Sequence, residues 1–163
     1  MKKLIQQILR KAYINNSLNY GSFIMKYFLD SSFILALIIK TDENYEKALE
    51  LIDLFNEDCY INQNVLNEVL TLVGRKIDIS AAKEVYYTLI DNFILLNEYS
   101  IGEYNGNNFA IFEKYAGINS KKTKLSFTDS SIILTMKEFG IKNLVSFDKE
   151  FKRVEGITLI SKN

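Results

Sequence analysis

Four acidic side chains, Asp30, Glu68, Asp129 and Asp148, each border an apolar run of this 163-residue chain, in "YFLDSSFIL", "NQNVLNEVL", "LSFTDSSIILTMKEFG" and "NLVSFDKEF". Taken singly, each has an ordinary structural reading: a turn acid for Asp30 and Asp148, a helix cap for Asp129 in "SFTD", a solvated helix face for Glu68. Brought to one edge of a fold they would be costly neighbours. Two carboxylates about 4 Å apart repel by about 4 kcal/mol at an effective dielectric of about 20, so such a cluster persists only if a cation binds or protons are taken up. The chain has no histidine and one cysteine, Cys59. Ligands confined to oxygen favour Mg²⁺ or Mn²⁺ over zinc. Two such ions about 4 Å apart can activate water and hold both the attacking and the leaving oxygen of a phosphodiester.

The absences narrow the chemistry further. Without histidine there is no Ser-His or Cys-His pair and no imidazole base, and the seven glycines never form a phosphate-cradling G-x-G-x-x-G or Walker A loop. Lys plus Arg equals Asp plus Glu, 20 against 20, so any contact with a polyanion must be a local patch rather than a whole-molecule field. A lone cysteine excludes an intramolecular disulfide framework and suits a reducing, cytoplasmic setting. No apolar stretch approaches the roughly 20 residues needed to span a bilayer, so no membrane role is expected. A chain that is 48% apolar and 25% charged has the makings of one globular domain.

The elements that would position the four acids alternate in type. "KYFL" reads as a strand ending at Asp30, and "SSFILALII" as a buried helix. In "TDENYEKALELIDLF", Ala48, Leu51, Ile52 and Phe55 recur at helical spacing, which predicts one amphipathic helix capped by Thr41 or Asp42. "CYIN" is the next strand, followed by a helix over 63–74 with Val65, Leu66, Val69, Leu70 and Val73 inward. A helix over about 79–90 buries Ala82, Val85, Tyr86 and Leu89. "FILLNE" is a third strand, and Ile101 to Tyr115 marks a helix weakened by Gly102 and Gly106. A further helix begins near Thr128 and ends at Gly140. "NLVSF" is a strand stopping at Asp148, and "ITLI" closes the chain as a short one. Residues 1–24 read as an N-terminal amphipathic helical extension, with Leu4, Ile5, Ile8, Leu9 and Ala12 at helical spacing beside Lys2, Lys3, Arg10 and Lys11. It lacks the uninterrupted apolar core and cleavage site of a secretory signal. The main domain is expected over 25–163.

Short strands separated by helices imply right-handed crossovers and a mainly parallel central sheet flanked by α-helices, an α/β fold. In such a sheet the strands' C-terminal ends share one rim, where ligands bind. Asp30 and Asp148 reach that rim from strand ends. Glu68, in the second turn of the helix after the second strand, and Asp129, in the first turn of the helix that feeds the fourth, can reach it from helix starts.

These four motifs, in this order and spacing over residues 26 to 160, resemble those of the PIN-domain ribonucleases, including toxins of the VapC type. The resemblance implies that Asp30, Glu68, Asp129 and Asp148 are the catalytic, metal-binding acids, with Ser31 and Ser146 supporting them from behind. It also implies an RNA substrate, a homodimer and, for a toxin, a protein antitoxin as partner. RNA must be held as well as cut, and Lys121, Lys122 and Lys124 in "KKTK", just before the Asp129 helix, are the candidates to neutralise its phosphates. Lys152 and Arg153 read as a solvated face, and aromatics such as Tyr115 as core. Two other enzyme classes fail on required groups. A haloacid-dehalogenase-like phosphatase needs an Asp where Ser32 stands, and a receiver domain needs an acidic pair where Asp30 has Leu29 and Ser31 beside it. A catalytically inactive PIN-like module that binds RNA or protein is the remaining alternative.

Overall fold

In the computed structural model, residues 24–116 and 123–162 are described. The expected N-terminal helix, Lys121 and Lys122 lie outside them. The chain alternates as read: β1 (Lys26–Leu29), α1 (Ser31–Ile38), α2 (Tyr45–Leu49), β2 (Asp58–Asn62), α3 (Gln63–Lys76), α4 (Ile79–Asn92), β3 (Ile94–Leu96), α5 (Tyr104–Ala116), α6 (Phe127–Glu138), β4 (Asn143–Val145) and β5 (Thr158–Ile160). Short 3₁₀ turns at Ile52–Asn56, Glu98–Ser100 and Lys149–Arg153 fill three of the connections.

The five strands make one sheet in the order β3-β2-β1-β4-β5, and every pairing is parallel. β1, which Asp30 follows directly, and β4, which ends at Val145, three residues before Asp148 rather than at it as expected, are neighbours, with Leu29 opposite Val145. The ladder runs one step further, since the Asp30 N–H donates to the Val145 carbonyl at 3.0 Å. Parallel strands covered on both faces must be apolar throughout. Phe28, Leu29, Ile61, Leu144 and Val145 are accordingly sealed from solvent, with Phe33 from α1, Val65, Val69 and Val73 from α3, and Ile132, Ile133 and Met136 from α6 packed over them.

Two expectations fail locally. The single helix foreseen across residues 41–55 is instead α2, with Asn44 as its N-cap, followed by the 3₁₀ turn. Leu51 N–H bonds the Ala48 carbonyl and Leu54 N–H the Leu51 carbonyl, so the segment is wound at three residues per turn where 3.6 was expected. Tyr86 is not in the core of α4 but 38% exposed. The buried stripe of α4 runs through Ala81, Val85 and Leu89 at four-residue steps, and a residue directly after Val85 is turned about 100° away from it.

Candidate functional site

Asp30 is the best-held acid of the four. Only 4% exposed, it caps α1: Oδ1 accepts from the Ser31 N–H at 2.7 Å, and Oδ2 from the hydroxyls of Ser32 at 2.6 Å and Ser146 at 2.7 Å. Ser146, the residue after β4, also accepts from the Asp148 N–H at 3.0 Å. Ser32 accepts from the Phe147 N–H at 3.1 Å and lies 3.2 Å from the Ser146 hydroxyl. The end of β1 and the end of β4 are therefore locked through one carboxylate and two hydroxyls. Ser146 stands where the sequence expectation put it, directly behind Asp30. The contribution of Ser32 was missed, although "DSS" after an apolar strand carries the signal: a hydroxyl two places after a helix-capping Asp can turn back onto it.

Asp129 is the third residue of α6 and forms a reciprocal cap: its N–H donates to Ser126 Oγ at 3.1 Å while its Oδ2 accepts from the Ser126 N–H at 2.6 Å. Burial pushes its carboxyl up to about 6, the two Ser126 hydrogen bonds oppose that rise, and the charges of Asp30 and Asp148 add to it. The ordinary reading of this residue as a cap is thus correct, and the same side chain lies within the electrostatic field of two other acids. Asp148 likewise caps, its Oδ1 accepting from the Glu150 N–H at 2.8 Å at the start of the 3₁₀ turn.

Glu68 stands on the exposed edge of α3. Partial burial raises its carboxyl above the usual range, a hydrogen bond from Ser31 lowers it, and the Asp30 charge raises it. Ser31 therefore lies between Asp30 and Glu68. The charge of Asp30 thus acts on Glu68 and Asp129, and that of Asp148 on Asp129. The match to a metal is one of donor chemistry: carboxylates and hydroxyls are the ligands of a hard divalent cation. Among the described residues no three His, Cys, Asp or Glu side chains stand together in one coordination sphere.

The helix that carries Glu68 is anchored by groups that sequence reasoning did not single out. Glu98 is fully buried, and its two carboxylate oxygens accept from the N–H groups of Gln63 and Asn64 at 2.9 and 2.8 Å, the first turn of α3. Asn62, the N-cap, accepts from the Val65 N–H at 2.9 Å and donates to Thr135 Oγ1 at 3.2 Å. Asn64 donates to the Tyr104 hydroxyl at 2.9 Å and to Ser131 Oγ at 3.1 Å, and accepts from the Tyr99 hydroxyl at 2.9 Å. This network joins α3 to α5 and α6. A cleft of about 340 Å³ opens between Glu68 and Thr128, at the start of α6.

Of the three lysines expected to meet RNA, Lys124 is described and exposed. Its backbone N–H donates to Glu150 Oε2 at 3.2 Å, which ties the end of the "KKTK" segment to the turn that Asp148 caps. Tyr115 is buried, as expected of a core aromatic. Burial pushes the Cys59 thiol up to about 12, so it is no nucleophile.

The PIN domain family model matches residues 27–157. Among solved structures, VapC20 of Mycobacterium tuberculosis, described as a sarcin-ricin loop cleaving toxin, superposes with a TM-score of 0.65 at 21% identity, covering 83% of this chain and 99% of that one. VapBC2 of Rickettsia felis, bound to a DNA fragment from its promoter, gives 0.62 at 20% identity over 83% of this chain and 98% of that one. DNA-bound VapBC of Salmonella typhimurium gives 0.61 at 18% over 84% and 98%. No curated protein sequence matches the chain. At these identities the superpositions establish a shared fold. The family match extends from the second residue of β1 to the residue before β5, and on that span this protein belongs to the PIN-domain family.

Proposed function

We propose that this protein is a divalent-metal-dependent endoribonuclease, the toxin of a toxin-antitoxin pair. The observation that carries the reading is the set of contacts around Asp30 and Asp129: Ser146 donates to Asp30, the Asp30 charge acts on Asp129 and Glu68, and the Asp148 charge acts on Asp129. The PIN family match and structural neighbours that are toxins or toxin-antitoxin complexes support it. Asp30, Glu68, Asp129 and Asp148 would hold Mg²⁺ or Mn²⁺, which when bound supplies charge neutralisation and a more acidic water. Asp30 is fixed by Ser31, Ser32 and Ser146, so its carboxylate orientation is set before any ligand arrives. Asp129, which burial raises to about 6, and Glu68, also raised by burial, would have to be deprotonated to bind the ion. Lys124, with Lys121 and Lys122, would meet RNA phosphates. The antitoxin, a homodimeric assembly and a cytoplasmic location belong to the same proposal. No helix among the described residues is long and apolar enough to cross a membrane.

If the four acids hold a divalent ion that makes a water more acidic, water rather than the ribose 2′-hydroxyl would be the attacking group. Its oxygen forms the new bond to phosphorus, the bond to the 3′ oxygen breaks, and a proton lost from water is balanced by one gained at the leaving oxygen. The products are a 5′-phosphate and a 3′-hydroxyl. Mass spectrometry of a cleaved oligoribonucleotide tests this. Those ends with Mn²⁺ or Mg²⁺, no cleavage in EDTA and none by a folded Asp129→Asn variant are expected; a 2′,3′-cyclic phosphate end would overturn the roles of the four acids. Metal-independent RNA binding with no cleavage under any of these conditions would instead favour the inactive module.

A further inference from the structure

The cleft beside Glu68 has a lining that the reading above does not use. Its walls are Asn64, Asn67, Glu68, Thr71 and Leu72 of α3 and Thr128 of α6. No lysine or arginine lies among them to hold a phosphate, and the one charge is the Glu68 carboxylate, which the reading above gives to the metal ion. What suits the space is an uncharged group with hydrogen-bonding edges and a flat apolar body that can lie against Leu72. Two of the polar side chains are already committed. Asn64 is held by Tyr104, Ser131 and Tyr99, and Thr71 Oγ1 donates to the Asn67 carbonyl at 2.7 Å. The Asn67 carboxamide and the Thr128 hydroxyl make no hydrogen bond to another described residue, leaving donors and acceptors open to a ligand. Both residues sit within one turn of a proposed metal-binding acid, Asn67 next to Glu68 and Thr128 next to Asp129.

We propose that this cleft receives a nucleobase of single-stranded RNA adjacent to the cut, and that Asn67 and Thr128 are specificity-determining residues that read its edge; the inference rests on the ribonuclease reading. A carboxamide presents a donor and an acceptor side by side, the pattern that pairs with a base edge. Such edges are free to be read where RNA is unpaired and unstacked.

The test compares oligoribonucleotides that carry each of the four bases at the positions flanking the cut, incubated with the full chain and Mn²⁺. Wild type is expected to favour one base at one position by about tenfold or more. Asn67→Ala and Thr128→Val should each flatten that preference, the pair together bringing it within about twofold, while the Mn²⁺-induced rise in melting temperature is kept. That retained rise separates lost base reading from a damaged fold or metal site. Variants that cut with the wild-type preference, or a wild type indifferent to base at every flanking position, overturn the base-reading role alone. A wild type that cuts no RNA defeats the ribonuclease reading itself.

Discussion

Asp129 joins two demands on one carboxyl: it closes the first turn of α6 and it faces other acids. Its pKa of about 6, raised from 3.8 chiefly by burial, means that the native state holds a proton where the unfolded chain has released it. The native state is therefore favoured below about pH 4, and that stabilisation is lost as pH rises through about 6, a decline of at most about 3 kcal/mol in the metal-free protein. Asn at this position can still accept from the Ser126 N–H and does not titrate. Urea unfolding of metal-free protein between pH 4 and 7 should show the decline in wild type and a shallower one in Asp129→Asn. A cation competes with the same proton, so the apparent Mn²⁺ affinity of wild type should climb from pH 5 to pH 7 and level off above, as followed by calorimetric titration.

The elements set in long apolar runs were legible. β1, β2, α3 and β4 appear within a residue or two of where periodicity puts them. What escaped is instructive at this scale. Residues 45–49 are α-helical as read, and across the five residues Ile52–Asn56 the 3.6- and three-residue windings diverge by only about 100°, too little for apolar spacing to tell them apart. Glu98 escaped for a different reason: one acid after a short strand looks like any loop residue, and only the fold brings it under the first turn of α3. That placement is consequential, since both of its oxygens are used by backbone N–H groups in a fully buried site. Glu98→Ala should cost about 2 to 4 kcal/mol by leaving Gln63 and Asn64 N–H groups unpaired. Glu98→Gln, which retains one acceptor, should cost less, and it should lower cleavage more than metal affinity by letting the α3 start, and with it Asn67 and Glu68, drift. Chemical denaturation alongside cleavage assays measures both.

On the proposed reading, a cation bound by the four acids relieves their mutual repulsion and so stabilises the whole molecule. Manganese at about a hundredfold over its dissociation constant should stabilise the native state by about 3 kcal/mol, raising the midpoint of a thermal melt by roughly 5 to 10 °C in a chain of this size. The shift should shrink in Asp30→Asn and Asp148→Asn; equal shifts in all three proteins would mean that the ion binds elsewhere. A chain starting at Met25 is expected to remain soluble and responsive to metal, because among the described residues the core is contiguous from Phe28 to Val154. The two flanks of the site come from opposite ends of the sequence, Ser146 meeting Asp30 across 116 positions, and β4 completes the sheet beside β1 only after most of the chain exists. During translation the emerging polypeptide therefore carries Asp30 without Ser146, so the proposed ribonuclease would stay inert towards the message it is being read from until the segment through β4 has emerged. A nonsense mutation just before Asn143 leaves three paired strands, an open β1 edge prone to aggregation and no nuclease, so late truncations should silence the gene as fully as early ones.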